Sequence, residues 1–282
     1  TDDIFIDKST GYVGIGTTSP FSALHVNGDA TFSGEAGYLS NAQLGDFQYS
    51  FASKEYVRSQ DDSKVLNGYL THVDSDNQGY ASLMVWGDGK FIYVANNDGG
   101  LHTYSADASG TLAWLDSDDQ GDFAYGVWGD GKFIYLANST GGLHTYSVDA
   151  SGTLTHIDSD DQGDNAYGVW GDGNFIYLAN GTGGLHVYSV DSSGTLTHID
   201  SDDQGGTAYN VWGDGNFIYL ATYDAGLQVY SVDSSGTLNW IDSDNPTGDA
   251  YSVWGDGDFI YLANFDGGLH TYSVSSSGTL TH

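Results

Sequence analysis

DNAYGVWGDGNFIYLANGTGGLHVYSVDSSGTLTHIDSDDQG, residues 164–205, is one full period of a 42-residue repeat, and its reading decides the fold. The tetrapeptide Trp-Gly-Asp-Gly starts at Trp86, Trp128, Trp170, Trp212 and Trp254, each 42 residues after the last with no insertion. A fixed period of this size marks a repeat architecture, in which one supersecondary unit buries its apolar faces only against its neighbours. Within the unit, runs rich in β-branched and aromatic residues alternate with Gly, Asp, Asn and Ser, which predicts strands over 166–170, 175–179, 185–190 and 195–199. Gly-Asp-Gly after Trp170 and Asp-Ser-Ser-Gly after Val190 supply the positive φ values that tight hairpins demand, so consecutive strands should pair antiparallel. Four such strands in about 40 to 45 residues make the blade of a β-propeller. Tyr167, Val169, Phe175, Ile176, Leu178, Leu185, Val187 and Ile199 are expected to fill the space between blades. A β-solenoid is the rival architecture, but its coils are usually shorter and lack this hairpin punctuation.

Counting strands raises the question of closure. The outer-strand motif occurs six times, from Leu70-Thr71-His72 to Leu280-Thr281-His282, while the other three strands occur five times. An open sheet edge invites unwanted pairing, and propellers commonly close by letting a strand from one terminus complete the blade at the other. The expectation is therefore an all-β protein with a five-bladed propeller over 63–282, closed either by residues 69–74 or by residues 279–282. A longer natural chain with more blades is the alternative.

The 38 Asp and Glu against 6 Lys and Arg give a formal net charge of −32, and no Lys or Arg follows Lys132. Such a surface repels polyanions, so nucleic acid is not an expected partner. There is no Cys, which removes disulfides and thiolate metal sites and leaves the redox compartment open. No run of about 18 apolar residues is present, so membrane insertion by a helix is not expected.

The stretch FIYLANGTGGLHVYSVDSSGTLTHID, residues 175–200, resembles YVTN-type and lactonase-like β-propeller repeats, and the resemblance extends over about residues 68–282. It implies the fold; that group spans surface-layer proteins, lactone hydrolases and many other chains, so fold alone does not give function. Residues 1–62 do not share the repeat. They read as short strands over 4–6, 12–15, 23–26 and 30–32. GYVGIGTTSPFSALHVNGDATFSG, residues 11–34, resembles a stretch common in phage tail fibres and bacterial surface fibres, and FASKEYVRSQ, residues 51–60, is similar to another of their elements. The resemblance implies a homotrimeric stalk and an extracellular, cell-surface or virion location; Arg58 departs from the Asp usual there. Lys8, Lys54 and Arg58 lie in this part of the chain and Lys64 just after it, whereas residues 65–282 hold only Lys90 and Lys132. That charge split suggests assembly by the first part and ligand contact by the second.

In a propeller, the loops joining outer to inner strands and those joining second to third strands share one face. The first loop type, Asp-Ser-Asp-Asp-Gln-Gly, spaces carboxylates as at the start of an oxygen-rich Ca²⁺ loop, with Asp116, Asp118, Asp158, Asp160, Asp200 and Asp202 as candidate ligands. Exposed Asx turns are the competing reading, since no downstream Glu completes the set. The second loop type varies at its tip, where Asn97, Asp98, Tyr223, Asp224, Phe265 and Asp266 are candidate ligand contacts, joined by the recurring Asn180. Exposed aromatics beside Asp and Asn suit sugar rings, through stacking and hydrogen bonds. His102, His144, His186 and His270 share one phase with Gln228, and His72, His156, His198 and His282 share another with Trp114 and Trp240. Interchange with Gln and Trp speaks against a repeated metal site.

Near-identical copies offer no unique nucleophile or base, and the propeller has neither Arg nor Glu, so catalysis is not expected. The expected function is a non-enzymatic extracellular binding or adhesion module of a fibre-like protein. It would engage a cell-surface glycan or surface protein, oligomerise through residues 1–62, and need no cofactor beyond a possible Ca²⁺. A structural subunit of an extracellular filament or surface layer is the second reading, and a lactone hydrolase the third.

Overall fold

A computed structural model describes residues 4–6, 13–15, 24–26 and 72–282. The chain separates into two compact units, Thr1–Thr71 and His72–His282. In the first, β1 (Ile4–Ile6), β2 (Val13–Ile15) and β3 (Leu24–Val26) form a small sheet. β1 and β2 are antiparallel, and β2 and β3 are parallel. Three of the four expected strands are thus present; residues 30–32 lie outside the described residues.

The second unit is a propeller of five four-stranded antiparallel blades. Blade 1 is β4 (Met84–Gly87), β5 (Ile92–Ala95), β6 (Leu101–Ala106) and β7 (Leu112–Asp118). Blade 2 is β8 (Gly126–Gly129), β9 (Ile134–Ala137), β10 (Leu143–Val148) and β11 (Leu154–Asp160). Blade 3 is β12 (Gly168–Gly171), β13 (Ile176–Ala179), β14 (Leu185–Val190) and β15 (Leu196–Asp202). Blade 4 is β16 (Ala208–Gly213), β17 (Ile218–Thr222), β18 (Gly226–Val232) and β19 (Leu238–Asp244). Blade 5 is β20 (Ala250–Gly255), β21 (Ile260–Asn264), β22 (Gly268–Val274) and the short β23 (Leu280–Thr281). Strands pair in chain order within every blade.

The first and third turns of each blade are held by a short polar side chain, an aspartate everywhere but at Ser275 of blade 5. In blade 3, Asp172 Oδ1 accepts from the backbone N–H of Asn174 and Phe175 at 2.7 and 2.8 Å, and Asp172 Oδ2 accepts from Tyr177 Oη at 2.9 Å. Asp191 Oδ1 holds the third turn, accepting from Ser193 N at 2.8 Å and Thr195 N at 3.0 Å. Short polar side chains that bond their own backbone two residues on make such turns local and independent of the rest of the chain.

Blades join by interdigitation. Tyr177, Ala179, Leu185 and Val187 of blade 3 and Ala208, Val211, Ile218, Leu220 and Tyr230 of blade 4 form one buried cluster, and the other neighbouring pairs repeat it. The Trp ring of each of blades 1 to 4 lies over the Gly of the next: a Cβ on Gly171 would come within 2.5 Å of Trp128 and one on Gly213 within 2.6 Å of Trp170. At the periphery, Asp158 Oδ2 accepts from Leu196 N at 2.9 Å across the interface, as Asp74 does from Leu112 and Asp200 from Leu238.

Two expectations are corrected here. First, the outer strands run to Asp118, Asp160 and Asp202, in blade 3 beyond the expected end at Ile199. A bulge between Val187 and Tyr188 lets the ladder continue to Leu185↔Asp202, and the same irregularity recurs in blades 1, 2 and 4. Second, among the described residues neither terminal segment closes a ring. β23 pairs with β22 of its own blade, and residues 72–77 lie outside any strand. The far face of blade 5 and the near face of blade 1 are exposed: Trp254 is 57% and Val85 64% accessible, whereas Val127, Val169, Val211 and Val253 are buried.

Candidate functional site

The two loop types do share one face. Backbone bridges join Asn97 to Ala124, Ser139 to Ala166 and Gly181 to Ala208, tying each second-to-third-strand loop to the segment entering the next blade. On this face the structure assembles a feature that sequence reasoning assigned to the core. Tyr125, Tyr167, Tyr209 and Tyr251, one per blade at the start of the inner strands, form a ladder with ring centroids 5.0, 4.7 and 5.0 Å apart. The loop-tip aromatics join it. Tyr223 lies 5.6 Å from Tyr209 and 5.4 Å from Tyr251, and Phe265 lies 5.7 Å from Tyr251. Phe123 extends the other end, 6.3 Å from Tyr125. The result is one continuous aromatic strip across blades 2 to 5, on which Phe265 is 70% and Tyr251 41% exposed. The signal was present as a Tyr recurring every 42 residues directly before an inner strand, replaced by Leu83 in blade 1.

Carboxylates border the strip. The Asp249 carboxylate, hydrogen-bonded to the Tyr223 hydroxyl, pushes its pKa up to about 12. Asp224 Oδ1 accepts from Thr207 N at 3.2 Å, and Asp164 accepts from Thr182 Oγ1. Asn97 adopts φ +42° at its bridge to Ala124, with Asp98 exposed beside it; Asp266 sits in a single 3₁₀ turn, η1 (Phe265–Gly267). Asn180 is not a surface contact. It is buried, its backbone N–H donates to Gly184 O at 2.8 Å, and its side-chain amide lies against His186, so it clamps the turn from inside.

The candidate cation ligands are not turn residues. Asp116, Asp158 and Asp200 lie within outer strands and accept from Leu154, Leu196 and Leu238 of the next blade at 2.8 to 2.9 Å. Asp118, Asp160 and Asp202 end those strands and accept from Gln120, Gln162 and Gln204. Among the described residues, no three His, Asp or Glu side chains group as a metal site would require.

A cavity of about 920 Å³ is lined by the Trp-Gly-Asp-Gly turns of the blades. Its aspartates are committed to their turns and to Tyr93, Tyr135, Tyr177, Tyr219 and Tyr261, whose hydroxyls donate to them at 2.8 to 2.9 Å.

In blades 2, 3 and 5 the histidines form pairs. His144 Nδ1 lies 3.1 Å from His156 Nε2, and His186 Nδ1 lies 3.0 Å from His198 Nε2. Because His144 Nε2 faces the Gly141 carbonyl at 3.0 Å, it carries the proton, and Nδ1 accepts from His156. Blade 4 keeps the polarity with other residues: Trp240 Nε1 donates to Gln228 Oε1 at 2.9 Å. Burial, and then the partner imidazole, holds His144 and His186 below the usual histidine range. The folded state therefore binds fewer protons than the unfolded chain once pH drops below about 6.5, and stability present above that value is lost as pH falls. A melting temperature that falls between pH 7 and pH 5 is expected. Exchanging both pairs for the Gln–Trp pair of blade 4 (His144→Gln, His156→Trp, His186→Gln, His198→Trp) should flatten that dependence; an unchanged slope would refute the assignment.

Among the described residues, no helix is long and apolar enough to cross a membrane. Residues 134–243 match the family model described as Lactonase, 7-bladed beta-propeller, and residues 78–102 and 247–275 match the LVIVD repeat. No curated protein matches. Among solved structures, a functionally unknown protein from Desulfotomaculum acetoxidans DSM 771 is similar with TM-score 0.60 and 14% identity, over 72% of this chain and 68% of that one. The computationally designed Ika8 protein is similar with TM-score 0.56 and 9% identity, over 67% of this chain and 57% of that one. At these identities the likeness shows the fold alone, a β-propeller-like array of repeated four-stranded blades.

Proposed function

We propose that the propeller is a non-catalytic binding module whose aromatic strip engages the rings of a surface carbohydrate. The observation that carries this reading is the continuity of the strip from Phe123 to Phe265. Tyr and Phe faces stack on the C–H faces of sugar rings, and Asp249, Asp224 and Asp164 along the border accept from sugar hydroxyls. Stacked rings repeated over four blades give several shallow contacts, so affinity would come from multivalency. The resemblance of residues 11–34 and 51–60 to tail and surface fibres supports a setting in which a stalk presents several propellers outside the cell or virion.

A catalytic role is disfavoured. No residue from 63 onward is Arg or Glu, and the carboxylates of the central cavity are held by turn N–H groups and tyrosine hydroxyls. Glycan-array binding of the full chain, with and without Ca²⁺, tests the reading. Tyr251→Ala and Phe265→Ala should each weaken binding by about tenfold, the loss of roughly 1.4 kcal/mol of stacking. Binding that both variants retain, or turnover of sugar lactones at enzymatic rates, would overturn it.

A further inference from the structure

The inner strands of blades 2, 3 and 4 approach one another closely just after their leading tyrosines. Gly126 and Gly168 directly follow Tyr125 and Tyr167. A Cβ on Gly126 would come within 2.6 Å of the Tyr167 carbonyl oxygen, and one on Gly168 within 2.8 Å of the Tyr209 carbonyl oxygen. The missing side chains let each strand start lie against the next, and the tyrosine one residue earlier is carried onto its neighbour. Tyr125 and Tyr167 have ring centroids 5.0 Å apart with planes tilted by 52°, and Tyr167 and Tyr209 lie 4.7 Å apart, tilted by 39°. Aromatic pairs in proteins span about 4.5 to 7 Å, so both pairs stand at the short end.

These rings differ from the other tyrosines of the propeller in two ways. Among the described residues, tyrosine rings meet one another only along this strip. Tyr135 and Tyr177 lie instead against Trp128 and Trp170, and Tyr146 and Tyr188 against His156 and His198. Tyr125, Tyr167 and Tyr209 are also half-buried and open to a reagent, whereas Tyr135, Tyr146, Tyr177 and Tyr188 are completely buried. Burial, and then the neighbouring phenols, raises Tyr167 and Tyr209 above the usual tyrosine range, so both carry their protons at neutral pH.

We propose that Tyr125, Tyr167 and Tyr209 form an oxidative cross-linking site, at which a peroxide-driven haem oxidant joins rings of adjacent blades by a carbon–carbon bond and so staples the blades together. Each of two neighbouring phenols loses one electron to the oxidant and its hydroxyl proton to solvent. The two phenoxyl radicals couple through the ring carbons ortho to oxygen, and the hydrogens on those carbons move to the oxygens as the rings regain aromaticity. The two electrons and two protons given up reduce one hydrogen peroxide to two waters. Centroids in the coupled product are about as far apart as in the native pairs, so the rings turn edge to edge while the blades stay in place. Because the partners are already in contact, coupling within a chain outruns coupling between chains in dilute solution. The chain has no Cys and hence no disulfide, and a bond from Tyr167 to Tyr209 closes a 42-residue loop, constraining the unfolded state as a disulfide of that span does.

Treating the full chain in dilute solution with a haem peroxidase and limiting hydrogen peroxide tests this. The monomeric product should show dityrosine fluorescence and lose two hydrogen atoms per link. Peptide mapping should place the main link at Tyr167–Tyr209 and the next at Tyr125–Tyr167. The linked chain should melt higher than the untreated one, by roughly 10 °C. The double variant Tyr167→Phe, Tyr209→Phe keeps both rings and removes both phenols, and near-ultraviolet circular dichroism verifies its fold. Its yield of intrachain dityrosine should fall by about tenfold or more. No intrachain product, links that map to other tyrosines, an undiminished yield in the double variant, or a linked chain that melts no higher overturns the proposal.

Discussion

Gly184→Ala is expected to cost about 3 kcal/mol or more of stability, while Gly173→Ala, at nearly the same backbone angle, should cost only about 1 to 2 kcal/mol. Both glycines are left-handed, at φ +78° and +89°. At Gly173, in the open Trp-Gly-Asp-Gly turn, an added Cβ meets nothing within 4 Å, so only conformational strain is felt. At Gly184, where the second-to-third-strand loop passes the end of the outer strand, the same Cβ would strike the Asp202 carbonyl oxygen and come within 2.8 Å of Asp203 Cα. Backbone in a hydrogen-bonded ladder cannot rotate away as a side chain would, so the clash must be relieved by moving a strand. At about 2 to 4 °C per kcal/mol for a domain of this size, thermal melts should separate the two variants by several degrees. Equal shifts would mean that the loop yields and that the packing at Gly184 is looser than the geometry states.

Asp172→Ala should be comparably severe, at about 3 to 5 kcal/mol. One carboxylate satisfies two backbone N–H groups and the Tyr177 hydroxyl, and hydrogen bonds to a charged group are worth about 1.5 to 3 kcal/mol each, with incomplete additivity. The Tyr177 ring is fully buried, and burial together with the neighbouring carboxylate raises the pKa of its hydroxyl. Truncating Asp172 strands that hydroxyl, so a second change, Tyr177→Phe, should cost less in the Asp172→Ala background than in the wild type. Urea denaturation of the four proteins of the cycle measures this coupling; strict additivity would show that the two side chains act independently. Because domains of this kind are stable by only about 5 to 15 kcal/mol, a single such turn is a large share of the total.

The blade itself was legible because its determinants are local. Gly at the φ > 0 positions, Asp two and three residues before the N–H groups it caps, and apolar residues alternating along strands act within a dozen residues of sequence. Strand positions in 166–199 therefore fell within one or two residues of those observed, the outer strand excepted. That strand ran on because the bulge at Tyr188 is a property of the pair β14–β15, and the pairing across it draws Asp200 and Asp202 into the ladder. The same event moved the aspartates out of the expected turn and gave Asp158 and Asp200 their role between blades. The loop tips Tyr223 and Phe265 stood out by their departure from the repeat, whereas Tyr167, read as core, and its equivalents Tyr209 and Tyr251 were hidden by their regularity.

What the sequence by itself determined, then, is the 42-residue unit: four strands, two aspartate-held turns, and apolar faces on both sides that require neighbours. What only the tertiary structure decided is how those units meet. Alignment of one Tyr per blade into a strip depends on the rotation between successive blades. So does the failure of blades 1 and 5 to meet, which leaves Val85 and Trp254 exposed. A small angle set by side-chain packing at each junction accumulates over the array, and no short stretch of sequence encodes the sum.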